Sequence, residues 1–321
     1  MGIAAEAEGR GEQDRGLGFA PDHDAPVPYM ARTRDYYAAL GYETPYRWSH
    51  FADVPFAAPR QPLAAAKVAL VTTAAPYDPA KGGQGPWAPY NAAAKFYKVY
   101  AVPSEPVPDL RISHVGIDRK HTSQEDPRAW LPLRAMQTAA AEGRIGEMAG
   151  LVFGAPTNRS HRVTMFEDAP EMLRLVQAAG VEAAVLAPNC PVCHQTCALM
   201  ARHLEAAGIA TVIMGCAKDI VEHCGVPRFL FSDFPLGNPA GRPHDPASQA
   251  ATLGYALDLL ESATGPRTTR QSPLRWAEDA DWKLDYCNLA RIPAAELARR
   301  RQAFLEDKKT AHQRRAEDGR G

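Results

Sequence analysis

A mostly parallel α/β sheet with helices on both faces is the fold class that this sequence predicts. Strand-like segments alternate with helix-like segments along most of the chain, and the strand-like segments are apolar at nearly every position. Strands of this kind are buried on both faces, as in parallel sheets that are flanked by helices. We therefore expect a Rossmann-like domain of one lobe or two, preceded by an irregular N-terminal extension.

The predicted α/β domain spans residues 63–265. Helix stops are provided by Gly180 and Gly208, and Asp245 with Pro246 has the pattern of a capped helix start. Strands are predicted at 67–73, 110–117, 151–154, 182–187, 210–214 and 228–231, and helices at 126–143, 169–180, 191–207, 217–224 and 245–263.

Three flanking segments lie outside this domain. Residues 1–25 are polar and acidic without periodicity, so we expect them to be disordered. Residues 26–62 are rich in aromatic residues and proline, and we expect them to pack on the main body or to cover a site. Residues 266–321 form a C-terminal extension that ends in a charged helix, for which a solvated face is the simplest interpretation.

Composition limits the classes of function. The chain has 321 residues, 45% of them hydrophobic and 23% charged, and a net charge of −1, which argues against nucleic acid or an anionic membrane as a partner. No apolar run approaches the ~20 residues that span a bilayer, and the first 24 residues lack the apolar core of a signal peptide. We therefore expect a cytoplasmic protein, in which cysteines are more often catalytic or metal-binding than paired in structural disulfides.

The most informative motif is Cys190-Pro191-Val192-Cys193, at the junction of a predicted strand and a predicted helix. A helix start favours a thiolate, and Pro191 suits the first helical position. We expect Cys190 to be a nucleophile and Cys193, one turn on, its resolving partner. The alternative is a pair of buried, inert thiols.

Other candidates follow the predicted strands, because ligands of parallel sheets bind beyond the carboxyl ends of the strands. His223 is a candidate proton donor to a leaving group, and for His194 a role in the site and a structural role are equally open. Arg119 is a candidate anchor for a substrate carboxylate. The candidates for binding substrate are His114, Arg119, Cys216 and Asp233.

Metal binding is the competing interpretation of the same cysteines. Cys197 follows Cys193 by one helical turn, so both lie on one helix face. An iron–sulfur cluster or a zinc ion held by Cys190, Cys193, Cys197 and Cys216 would occupy the thiolate that redox chemistry needs.

Several separated segments together resemble one protein family. They are residues 141–146, 188–196, 219–231 and 233–239, and the resemblance extends over roughly residues 64–263. The sequence is similar there to the selenoprotein B family, the substrate-reducing subunits of glycine, sarcosine, betaine and D-proline reductases. In that family a selenocysteine in a U-x-x-C motif attacks the carbon that bears the amine, and a thiol donor resets the resulting selenide–sulfide.

The resemblance implies that Cys190 takes the selenocysteine position and Cys193 the resolving position. It further implies a reductase that acts on a small molecule, holds no cofactor of its own and is reduced again by a thioredoxin-like dithiol. If a pyruvoyl group takes part, the resemblance places it on a second subunit. We also expect a homo-oligomer. A non-catalytic subunit that docks on a partner reductase is the remaining alternative.

Overall fold

A seven-stranded sheet forms the centre of the molecule in this computed structural model, which describes residues 25–42, 44–86, 88–112 and 114–317. The strands are β1 (Lys67–Thr72), β2 (Ala75–Pro76), β3 (Tyr100–Pro103), β4 (Leu110–Arg111), β5 (Glu147–Gly154), β6 (Ala183–Ala187), β7 (Ala210–Gly215), β8 (Arg228–Phe231) and β9 (Thr268–Gln271). The strand order in the large sheet is β3-β5-β1-β6-β7-β8-β9, and all neighbours pair in parallel except the edge strand β3, which is antiparallel to β5. A separate two-stranded sheet pairs β2 with β4. The predicted α/β fold class is confirmed.

Helices cover both faces of this sheet. The helices at 169–178, 191–206 and 218–224 contribute side chains to one apolar core, which contains Ala69 and Val71. The helices at 133–141 and 246–262 contribute to another, which contains Val68. Because both faces are covered, the central strands are buried at nearly every position and mostly apolar. The helices are α1 (Tyr29–Ala39), α2 (Leu133–Ala141), α3 (His161–Val163), α4 (Ala169–Ala178), α5 (Pro191–Ala206), α6 (Lys218–Cys224), α7 (Pro246–Ser262) and α8 (Ala294–Glu317), and π-helical turns at Thr164–Asp168 join α3 to α4.

The order of the strands reverses beside β1. From β1 the chain passes to β5 on one side, and it then returns to the other side to form β6, β7 and β8. A crevice forms beyond the carboxyl ends of strands at such a reversal, and ligands of doubly wound sheets bind there. The carboxyl ends of β1 and β6 therefore mark the expected site, and Cys190 follows β6 by three residues.

Most predicted elements match the structure within a few residues, and one strand prediction is wrong. Residues 110–117 were expected to form a single strand, but β4 ends at Arg111 and the chain then becomes irregular. The following loop is packed tightly on the start of α5, since a Cβ at Gly116 would lie 2.9 Å from Pro191 Cδ. The sequence also gave no indication of α1, β3 or β9.

Both flanking extensions pack against the body. The prediction of disorder for residues 1–25 falls outside the described residues except at Ala25. The charged tail was expected to be a solvated helix, and α8 has no buried residue. One side of α8 nevertheless contacts the body, because Tyr97 Oη donates to the carbonyl of Ala311 over 2.8 Å and Phe304 packs edge-on against Tyr37 and Tyr42. No helix in the described ranges is long and apolar enough to cross a membrane.

Candidate active site at the carboxyl edge of the sheet

Cys190 and Cys193 form the centre of the site. Cys190 is the N-cap of α5, Pro191 occupies its first turn, and the amide of Cys193 donates to Cys190 Sγ over 3.2 Å. The two sulfur atoms lie 2.7 Å apart, so one thiol donates to the other. Both cysteines are buried, at 5% exposure for Cys190 and 0% for Cys193.

The two thiols have opposite acidities. Burial, followed by the hydrogen bond with Cys193 and its charge, raises the pKa of Cys190. Burial also acts to raise the pKa of Cys193, but the hydrogen bond from Cys190 and the imidazole of His114 outweigh it and hold that pKa well below its usual range. His114 therefore favours negative charge on Cys193, whereas the amide of Cys193 favours it on Cys190, the residue that the helix start led us to expect as the thiolate.

Thr73 and His114 influence the Cys193 thiol. Both side chains act to lower the pKa of Cys193, and Thr73 Oγ1 accepts from the backbone and side-chain nitrogens of Asn189 at 3.2 Å each. Thr73 thus joins the end of β1 to the turn that precedes Cys190. One nitrogen, Nδ1 of His114, is buried and has no hydrogen-bond partner within the described ranges.

Arg119 holds the loop that presents His114. Its guanidinium donates to the carbonyl of His114 over 2.5 Å and to that of Val115 over 3.1 Å. This arrangement makes Arg119 a positioning residue for His114 in the structure, whereas the sequence suggested a direct anchor for a substrate carboxylate.

A cavity of about 130 Å³ opens beside Cys190. Its walls come from the N-terminal extension, the loop before β3, the His114 loop, the segment after β5, the start of α5, and α8. An apolar cavity of about 150 Å³ accepts a molecule the size of benzene, so this one is suited to a small ligand. Cys190 lines the cavity and Cys193 does not.

Sequence reasoning missed two cations in this cavity, Lys95 and Arg159. Burial lowers the pKa of Lys95 to about 8, and its ammonium lies 5.0 Å from the ring centroid of Tyr97. Neither residue belongs to a recognisable motif, and neither directly follows a strand. From the sequence we noted the aromatic residues of segment 26–62 but did not connect them with either cation.

His194 is engaged at both ring nitrogens. Nδ1 donates to the carbonyl of Cys190 over 2.7 Å, and Nε2 accepts from the amides of Cys216 and Ala217 at 2.9 and 3.2 Å. Burial lowers its pKa to about 4, so it is neutral near pH 7. Of the two roles left open for His194, the geometry supports the structural one, in which it ties α5 to the end of β7.

Three other predicted site residues lie away from the pair. His223 stands in the last turn of α6, beside His50 and near the amino end of β8, which is the opposite edge of the sheet. Cys216 packs with Tyr29 and Phe234 in a separate apolar cluster. Asp233 forms an ion pair with Lys283 of the C-terminal extension, so a residue of the chain already pairs with the carboxylate that was expected to bind substrate.

The four cysteines that the sequence offered as alternative metal ligands, Cys190, Cys193, Cys197 and Cys216, do not lie in one cluster. Cys197 belongs to the core under the sheet, and Cys216 belongs to the separate cluster. Within the described ranges, the group that can share an ion is His114, Cys190 and Cys193, whose ligand atoms lie within 4.8 Å of one another.

Comparison with known proteins gives consistent matches. Residues 37–189 match the family model described as glycine/sarcosine/betaine reductase selenoprotein B. This match begins earlier than residue 64, where we placed the start of the resemblance, and it ends one residue before Cys190. No solved structure matched this chain.

Two curated relatives illustrate the similarity. The D-proline reductase subunit gamma of Acetoanaerobium sticklandii is 30% identical over 155 residues, which is 48% of this chain and 64% of the relative. The glycine reductase complex component B subunit gamma of Peptoclostridium acidaminophilum is 24% identical over 238 residues, which is 71% of this chain and 52% of the relative. The chain thus spans between about half and two thirds of the length of these relatives. The predicted resemblance is confirmed, since residues 37–189 match the model of the selenoprotein B family.

Proposed function

We propose that this chain is a reductase subunit that cleaves a carbon–nitrogen or other carbon–heteroatom bond of a small substrate, with Cys190 as nucleophile and Cys193 as resolving thiol. The observation that carries the proposal is the cavity, which gives a small molecule access to Cys190 while Cys193 stays behind it. The names of the relatives, which are subunits of D-proline and glycine reductases, support the same class of reaction.

The first step transfers a proton between the two sulfur atoms. The thiolate of Cys193 accepts the proton of Cys190 across their 2.7 Å contact as Cys190 attacks the substrate carbon. A carbon–sulfur bond forms while the carbon–nitrogen bond breaks. Lys95 is the proton donor that we propose for the departing amine, because it lines the cavity and its pKa of about 8 keeps a transferable proton near neutral pH.

The second step releases the product. Cys193, deprotonated again, attacks the sulfur of Cys190; the carbon–sulfur bond breaks, and the carbon leaves with the electron pair and takes up a proton. The substrate amine and two thiols thus become the deaminated product, ammonia and a disulfide between Cys190 and Cys193. A thioredoxin-like dithiol then reduces this disulfide.

The test combines turnover with thiol mapping. Reduced protein is incubated with candidate small amines and a dithiol, and peptide mass spectrometry follows the state of Cys190 and Cys193. We expect a disulfide that forms only with substrate and disappears with dithiol. Turnover that requires an added partner subunit would assign the chain to a complex, and a pair that stays reduced while product forms would contradict the mechanism.

Zinc binding is the second candidate function, favoured by the three ligand atoms of His114, Cys190 and Cys193 within 4.8 Å. Catalytic zinc sites use three protein ligands and leave one position open. One equivalent of tightly bound zinc that protects both thiols from alkylation would replace the reductase proposal.

A further inference from the structure

Arg159 lies in a cage of tyrosines within the cavity that Cys190 lines. Its guanidinium carbon is 4.8 Å from the ring centroids of both Tyr37 and Tyr42 and 5.7 Å from that of Tyr46. It also donates to Tyr42 Oη over 3.1 Å. The rings stabilise the cation through their π faces but leave its charge uncompensated.

Within the described part of the chain, no carboxylate forms an ion pair with Arg159. The acid among the cavity-lining residues is Asp307 on α8, and it too forms no ion pair with Arg159. A partly buried guanidinium has five donors to satisfy, and leaving them unpaired is costly. An anion in the cavity would supply the missing partner.

The backbone holds Arg159 in a defined position. Its φ of 58° lies in the left-handed region, which is uncommon for a residue other than glycine. The preceding residue, Asn158, is fixed by hydrogen bonds from its side chain to Asp168 and to the carbonyl of Tyr97. Such outliers persist where the surroundings enforce them, and they concentrate at ligand sites.

We propose that Arg159 binds the anionic group of the substrate, a carboxylate, while Cys190 attacks the carbon that bears the leaving group. This assignment deepens the proposed function and rests on Cys190 as the nucleophile. The cavity of about 130 Å³ limits the ligand to a small carboxylate, and Lys308, which lies 5.1 Å from the ring of Tyr42, adds to the positive charge around it. Neutral analogues of the same shape should bind less well, because the guanidinium would then lack a charged partner.

The first experiment uses the unmodified protein. Cys190 is alkylated with iodoacetamide, a neutral reagent, in the presence of acetate or propionate or of their isosteres acetamide and propionamide. We expect the carboxylates to protect Cys190 at concentrations about tenfold or more below those of the amides. Equal protection by acids and amides would overturn the assignment, and this arm does not depend on any variant folding.

The second experiment compares iodoacetate with iodoacetamide, which differ in charge but have nearly the same shape. Each reagent forms a carbon–sulfur bond with the thiolate and releases iodide, and the ratio of the two rates at Cys190 reports anion recognition. We expect Arg159→Gln to lower the iodoacetate-to-iodoacetamide ratio about tenfold or more, and Arg159→Lys to retain part of it. Arg162→Gln is the matched control, because Arg162 is 74% exposed and pairs with Glu167 at the surface.

The reagents separate this proposal from the proposed function. An equal loss of both rates in Arg159→Gln would mean that Arg159 acts on the thiolate, and the anchor would be wrong. A normal charge preference in a protein that never forms the Cys190–Cys193 disulfide would leave the anchor in place and remove the reductase mechanism.

Discussion

Two neighbouring regions at the carboxyl edge of the sheet carry cysteine and polar side chains, and they differ in whether those groups already have partners. After β6, Cys190 faces a cavity that Lys95 and Arg159 also line, and Cys193 lies behind Cys190. After β7 and β8, Cys216 is packed in an apolar cluster and Asp233 is paired with Lys283. Both regions have the residue types that the sequence marks as reactive.

The difference shows what distinguishes a site from a structural polar cluster. At the end of β7 the amides of Cys216 and Ala217 donate to His194, and the carboxylate beyond β8 has its cation. At the end of β6, Cys190 and the guanidinium of Arg159 line a cavity of ligand size together with His114, whose Nδ1 has no hydrogen-bond partner among the described residues. Unsatisfied polar groups around a cavity are a stronger indication of function than residue type alone.

Replacing one cysteine in each region gives the largest expected contrast. We expect Cys190→Ser to abolish turnover, because a serine hydroxyl remains protonated and is a poor nucleophile. Cys216→Ser should retain turnover within about threefold after correction for folded protein, since Cys216 lies outside the cavity. The measurement is product formation with a dithiol donor, and similar losses in the two variants would remove the distinction between the regions.

Cys193→Ser sharpens the assignment within the first region. We expect less than one turnover and a covalent adduct on Cys190, because the resolving thiol that breaks the carbon–sulfur bond is absent. Intact-protein mass spectrometry would detect the adduct as a stoichiometric mass increase. A variant that cycles normally would show that resolution comes from the external donor.

Sequence patterns predicted the first region better than the second. The strand, the turn and Pro191 placed Cys190 at a helix start, because these are local signals in consecutive residues. The partners of Asp233 and Cys216 could not be predicted, because Lys283 and Tyr29 are distant in sequence and no local pattern encodes these contacts. The same limit hid Arg159, whose importance depends on a cage built from residues more than 110 positions away.

Lys95 provides a prediction about pH in the first region. Its lowered pKa of about 8 means that the protonated, proton-donating form is present below that pH and is lost as pH rises through it. Turnover should therefore decline above about pH 8, and Lys95→Met should reduce turnover by about 10²–10⁴-fold and remove this alkaline decline. Alkylation of Cys190 by a neutral reagent should change far less than turnover in this variant, because that reaction needs no proton donor. Unchanged turnover in Lys95→Met would exclude Lys95 as the proton donor.

Asp233→Ala tests the second region, where we expect the smallest effect on activity and a clear effect on stability. The Asp233 and Lys283 side chains are 19% and 8% exposed, so removing the carboxylate breaks a largely buried ion pair of the Lys283 ammonium. Breaking a buried pair in this way costs about 3 kcal/mol, which urea unfolding would measure. Turnover per folded molecule should stay within about twofold, because no atom of this pair lines the cavity beside Cys190. A large loss of turnover without loss of stability would instead make Asp233 a substrate-binding group, as the sequence first suggested, and would join the two regions into one site.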